Sequence, residues 1–280
     1  MLERLEQGKT AVADQAAGLR RMLAPRRLRV LPVTGAANEQ DQARIVTQLA
    51  GLLTASGRQV LLIDQTGGSA AAHWGLRARY ELSHVLCGDR TWGQVLLEGP
   101  GGALVLPAAR GLARLDTDGA RQQLLSQLYA LPPRPDIVLL NLASVPEGGA
   151  LADPLGDWLF VATAGAGGLM PAYGQIKRLA SWVRPRRLQV LVDGAEDAQD
   201  AQIAFGNLAA TARRFLDLDL SFCGNVQAAV ARHAAADAVP GALRQLASDM
   251  DLWRLRSYVP AVSPQLLAPK MAYATSPSWS

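Results

Sequence analysis

Apolar residues fall into short continuous runs separated by stretches with helical spacing. Leu28–Val33, Val60–Ile63, Leu104–Leu106, Ile137–Leu140, Trp158–Ala162, Leu188–Val192 and Leu220–Cys223 read as strands. Between them, Asp41–Ala55 puts Ile45, Leu49 and Leu52 on one face with Gly57 behind its end, and Gly119–Leu131 closes at Pro132–Pro133. A segment from about Ala172 to Val183, then Ala198–Phe215 and Pro240–Leu255, complete the helices. Strands apolar at every position are buried on both sides. Their alternation with amphipathic helices predicts an α/β fold, a mainly parallel sheet covered by helices on both faces. Ahead of the first strand, residues 1–24 carry Val12, Ala16, Leu19 and Leu23 at helical spacing, and Pro25 with Arg26 and Arg27 starts a short linker. Behind the last helix, Val259–Ser280 is broken by Pro260, Pro264, Pro269 and Pro277 and reads as a loosely held tail. The expected organisation is a helix over 1–24, one α/β domain over 25–258 and a tail over 259–280, without internal repeats.

Composition narrows the possible partners. With 280 residues, 49% of them hydrophobic, the chain can bury a large core and is not disordered throughout. The formal charge is only +4 and the lysines are just Lys9, Lys177 and Lys270. Without a dense basic patch interleaved with aromatics, no nucleic-acid partner is expected. Cys87 and Cys223 stand alone, which suits a reducing cytoplasm. Glu3 and Glu6 near the start, with no apolar segment behind them, argue against a secretory signal. The uncharged stretch Trp158–Ile176 approaches spanning length, but Gly165, Gly167, Gly168, Pro171 and Gly174 make it a strand, a loop and a helix start. The Gly165–Gly168 loop reads as one simplified by loss of a ligand. In the last helix Leu243, Leu246, Met250 and Trp253 share a side, and the nearby Asp249 and Asp251 favour core packing over membrane contact. His73, His84 and His233 lack metal-like spacing, so no metal is expected.

In such a fold the loop after the first strand holds the ligand at the head of a helix. Here it reads Leu31-Pro-Val-Thr-Gly-Ala-Ala-Asn-Glu-Gln-Asp-Gln-Ala-Arg-Ile-Val46. A phosphate loop needs several glycines, a lysine for the β/γ-phosphates and a hydroxyl for Mg²⁺. This one has a single glycine, Gly35, places Glu39 and Asp41 where an anion would sit, and has no lysine. Leu31–Ala50 nevertheless resembles the deviant Walker A region of the MinD/ParA ATPases. Laid on that pattern, the two family lysines fall on Ala37 and Gln42, and the magnesium-binding threonine on Ala43. Val60-Leu-Leu-Ile-Asp64 resembles the family's next strand, with Asp64 kept and Thr66 in place of the aspartate that positions water. Asp136-Ile-Val-Leu-Leu-Asn141 resembles the Walker B strand, with Asn141 replacing its carboxylate. Asp193 replaces an asparagine near the adenine, and Pro32 sits inside the first strand, where it removes a ladder donor. The resemblance implies a P-loop NTPase fold whose nucleotide site is degenerate, with no ATP or Mg²⁺ held.

A branch of that family is indicated by Gly75-Leu-Arg-Ala-Arg-Tyr-Glu-Leu-Ser-His-Val-Leu-Cys-Gly88, Val95-Leu-Leu-Glu-Gly-Pro-Gly-Gly102 and Leu106-Pro-Ala-Ala-Arg-Gly111. These are similar to the FlhG/FleN regulators of flagellar number, as are Tyr173–Lys177 and Arg213–Asp217. Asp14-Gln-Ala-Ala-Gly-Leu-Arg20 matches the DQAxxLR motif of FlhG proteins, which activates the signal-recognition-particle-type GTPase FlhF. The resemblance implies that Gln15 reaches the GTP site, where an amide can both donate to and accept from an attacking water. Leu19 and Ala16 would anchor the helix, with Asp14 and Arg20 adding polar contacts. The expected activity is that of a pseudo-ATPase, not itself an enzyme, that stimulates FlhF and so limits flagellar number or placement. It would be cytoplasmic, with any recruitment to the cell pole or membrane made through the partner. Flagellar switch components are further possible partners. Three alternatives stand beside this: a helix over 11–23 packed on its own domain, an antiactivator of the flagellar transcription regulator, and a residual ATPase depending on Asp64.

Overall fold

In the computed structural model, which describes residues 27–35, 37–143, 151–153, 155–165, 167–226, 241–250, 253 and 255–258, all seven apolar runs become strands. They are β1 (Leu28–Gly35), β2 (Val60–Asp64), β4 (Leu104–Pro107), β5 (Ile137–Asn141), β6 (Asp157–Thr163), β7 (Arg187–Asp193) and β8 (Leu220–Val226). Two short strands were not expected, β3 (Leu97–Glu98), antiparallel to β4, and β9 (Arg256–Tyr258), antiparallel to β1. The sheet order is β3-β4-β2-β5-β1-β6-β7-β8, and every other pairing is parallel. The segments expected to form a helix over 1–24 and a tail over 259–280 lie outside the described residues.

The longer helices are α1 (Glu39–Ala55), α5 (Asp118–Tyr129), α6 (Leu169–Trp182), α7 (Ala198–Leu216) and α8 (Gly241–Asp249). The shorter ones are α2 (Ser69–His73), α3 (Leu82–Leu86) and α4 (Trp92–Val95). Alternate strand residues point to opposite faces, which divides the buried residues into two cores. Val30, Ile63, Leu140 and Phe160 meet α3, α5, α6 and α7 on one face, while Leu31, Leu62, Leu139 and Val161 meet α1, α2 and α8 on the other. Trp158–Ile176 is indeed strand, loop and helix start. No helix among the described residues is long and apolar enough to cross a membrane.

Two details correct the sequence reading. The last helix, expected to reach Leu255, ends at Asp249, although Leu243, Leu246, Met250 and Trp253 are all buried as anticipated. Pro32 costs the sheet little even though β1 is central. Arg29 donates toward β5, so by alternation the nitrogen of residue 32 faces the opposite side. There β9 ends against Val30 and β6 begins only at Val33, and the missing donor falls in that gap.

Candidate functional site

The carboxyl ends of β1, β2, β5 and β7 bring together the residues singled out from the sequence. Asp64, at the end of β2, is fully buried, and its carboxylate is saturated by the chain itself. Oδ1 accepts from the Thr66 hydroxyl at 2.5 Å, the Thr66 amide at 3.0 Å and Asn141 Nδ2 at 2.9 Å; Oδ2 accepts from the Ala70 amide at 3.0 Å. Asn141, beside Asp64 on the neighbouring strand β5, accepts at Oδ1 from Gln42 Nε2 at 2.6 Å, and Gln42 also donates to the Leu142 carbonyl at 3.1 Å. Gln42, Thr66 and Asn141 are all buried. Three of the positions at which the sequence departs from the MinD/ParA pattern, Gln42, Thr66 and Asn141, are therefore linked through Asn141. Gln42 and Asn141 meet as two neutral amides, and the Asp64 carboxylate has four donors. A half-satisfied buried polar network would be costly, whereas this one is closed.

The head of α1 is closed in a similar way. Asn38 caps it, accepting from the Asp41 amide at 2.9 Å and donating to Asp41 Oδ2 at 2.7 Å. Glu39 and Asp41 thus supply the negative charge that the helix dipole favours at this end. Gly35 lies against the Val161 carbonyl of β6, which leaves no room for a Cβ, so strand packing is enough to require this glycine. Ala37 is half-buried and Ala43 buried, and neither side chain offers a polar atom. Gly168, read from the sequence as part of a simplified loop, is instead required, because a Cβ there would collide with the Thr163 carbonyl.

Asp193, at the end of β7, carries the site's second buried charge and pairs with Arg44 on α1 at 2.6 Å. Sequence reasoning missed Arg44. The available signal was a lone arginine in the otherwise uncharged stretch of α1 from Gln42 to Ala55, with a buried-strand aspartate in need of a partner. Burial pushes the Asp193 carboxyl above the usual range, and the Arg44 charge and hydrogen bond only partly offset this. A raised folded-state value means the folded protein holds the proton more tightly than the unfolded chain, so stability from this group is lost as pH rises above about 4. Arg44→Met would raise Asp193 further. The variant is expected to lose about 3–5 kcal/mol at neutral pH and much less near pH 4, read by urea unfolding at both values.

His73 ends α2, where partial burial and the Arg44 charge hold its imidazole below the usual range. His84 closes the first turn of α3 by accepting from the Glu81 amide. Glu81 itself accepts from Ser83 Oγ at 2.6 Å and from the Arg110 amide and Nε at 2.8 and 2.9 Å, tying α3 to the loop behind β4. Burial pushes its carboxyl up, but these bonds outweigh burial and hold it below the usual range. The segment with the FlhG/FleN pattern is thereby bound into one unit. Asp14, Gln15, Ala16, Leu19 and Arg20 lie outside the described residues.

The architecture is shared with solved structures of nucleotide-binding proteins. MinD of Pyrococcus horikoshii, solved with Mg-ADP, aligns with a TM-score of 0.53 at 13% identity, over 80% of this chain and 96% of its own. A plasmid partition protein of Borrelia burgdorferi bound to AMPPNP gives 0.55 at 12% identity, over 81% and 98%. In sequence, the antiactivator FleN of Pseudomonas aeruginosa is 26% identical over 246 residues, covering 81% of this chain and 88% of the relative. No protein-family model matches. The fold is that of the MinD/ParA P-loop NTPases. Within that class, the sequence similarity is to a FleN-type antiactivator.

Proposed function

We propose that this chain is a regulator of flagellar assembly that works by binding other proteins and neither holds nor hydrolyses a nucleotide. The observation that carries this is the closed network of Gln42, Asn141, Asp64 and Thr66, which spends the polar groups of the former site on one another. Phosphate and Mg²⁺ would have to break these bonds without gaining a lysine or a coordinating hydroxyl. Without a ligand that distinguishes two states, nothing shifts the protein between them, and partner binding is constitutive.

The first proposed contact is the segment Asp14–Arg20 on the FlhF-type GTPase, with Gln15 orienting the attacking water. It is tested by adding the protein to FlhF and following GTP hydrolysis. Acceleration by the wild type but not by Gln15→Ala is expected; equal acceleration by both would sink this contact. The second contact, supported by the similarity to an antiactivator, is made by the globular domain with the flagellar transcription regulator. Here a chain lacking residues 1–24 should bind the regulator as well as the full chain does.

A further inference from the structure

We infer that the end of the sheet where β6, β7 and β8 begin is a peripheral contact surface for anionic phospholipid. This contact is the chain's own and goes beyond the proposed function, which concerns protein partners alone. Six large apolar side chains are exposed among the described residues, and three of them lie at this end: Leu155 at 58%, Trp182 at 64% and Phe215 at 63%. Leu155 stands just before β6, Trp182 closes α6 and Phe215 is the penultimate residue of α7. The register sets the three segments side by side, since Asp157 pairs with Arg187 and Leu188 with Leu220 where the strands start. The Arg186 amide also donates to the Gly156 carbonyl at 3.0 Å, tying the first segment to the second.

Charge and the spread of the apolar groups select the occupant. From Trp158 to Val192 the chain has no acidic residue, and every cation of that stretch falls between Lys177 and Arg187. Lys177 and Arg178 are exposed near the end of α6, and Arg184, Arg186 and Arg187 follow Trp182. Among the described residues only Arg186 of these five faces a carboxylate, the buried Asp157 at 3.7 Å. Asp153 accepts from the Leu155 amide. Beyond α7, Arg213 pairs with Asp219, Arg214 lies over the Phe215 ring and Asp217 is exposed, so that segment adds apolar surface and no net charge. The excess cations thus form one strip between single apolar side chains. Guanidinium groups pair with phosphate through parallel hydrogen bonds, and aromatic side chains settle at the headgroup level of a bilayer. A single-stranded nucleic acid would use Trp182 and Phe215 for stacking but leave Leu155 without a role. A second copy would set the same cations face to face. No described helix is long and apolar enough to span, so the contact is one of surface charge and shallow insertion.

Flotation of the full-length protein with vesicles of phosphatidylcholine, alone or mixed with phosphatidylglycerol, tests this. Binding is expected to be roughly tenfold or more tighter to the anionic vesicles and to weaken as salt is added. Trp182→Ala and Arg184→Glu, both at exposed positions, should each weaken it by about fivefold or more while leaving the urea midpoint unchanged. Met170→Ala, exposed at the other end of α6, should bind as the wild type does. No binding, or equal binding to the two kinds of vesicle, would overturn the assignment. So would anionic binding that both the Trp182 and Arg184 variants retain, or a single-stranded oligonucleotide held more tightly than the vesicles and lost in both variants. The FlhF and regulator assays are read without vesicles, so the proposed function stands or falls separately.

Discussion

Asp64→Ala is expected to destabilise the fold by about 3–5 kcal/mol, measurable as a fall in the urea midpoint. The carboxylate has no solvent exposure and is the common acceptor for the Thr66 amide and hydroxyl, the Ala70 amide and Asn141 Nδ2. Removing it orphans donors that water cannot easily reach, at about 1–3 kcal/mol each before relaxation. Asp64→Asn should be milder, since one amide oxygen still accepts. If Asp64 also served chemistry, as in a working ATPase, the wild type would turn over ATP and the alanine variant would not, so the two readings separate on turnover.

Rebuilding the charges of a nucleotide site is expected to hurt singly and to compensate in combination. Asn141→Asp places a second carboxylate where Nδ2 now lies 2.9 Å from Asp64 Oδ1. Two buried like charges cannot both ionise, so one of the pair keeps its proton well above the usual carboxylate range. Because the folded-state value is raised, the loss of stability grows as pH rises above about 4. Gln42→Lys alone buries an ammonium facing an amide oxygen. Each change should cost about 2–4 kcal/mol at neutral pH. Together the new lysine faces the new carboxylate, and the double variant should be more stable than the sum of the singles by about 1–3 kcal/mol. Strict additivity would mean that positions 42 and 141 do not act as a pair. The double variant should still bind no ATP, since Ala37 and Ala43 continue to withhold the other lysine and the hydroxyl.

Much of the fold was legible because β2 and β5 are apolar up to their last residue and β1, β6 and β7 each carry a continuous apolar run, a pattern that few other environments permit. Strands β3 and β9 were not, since two or three residues are too few to show a period. The end of α8 was misplaced because Met250 and Trp253 keep the helical spacing and are buried although they lie beyond the helix. The candidate site divided similarly. Gln42, Thr66 and Asn141 were identified as departures from a family pattern, each on its own segment. That they bond to one another across 75 to 99 residues of chain is set by β2 and β5 lying side by side, with α1 above them. Arg44 stayed hidden for the same reason, as its partner Asp193 lies 149 residues away.

On the proposed reading, Gln42, Asn141, Asp64 and Thr66 satisfy one another and leave no polar group for a nucleotide. Calorimetric titration of the purified protein with ATP–Mg²⁺ and ADP–Mg²⁺ tests it most directly. No binding heat up to millimolar nucleotide is expected. Saturable heat with either nucleotide would contradict the account, because the Gln42–Asn141–Asp64 network would then have to open for a ligand, and a nucleotide-driven switch would replace constitutive binding as the mechanism.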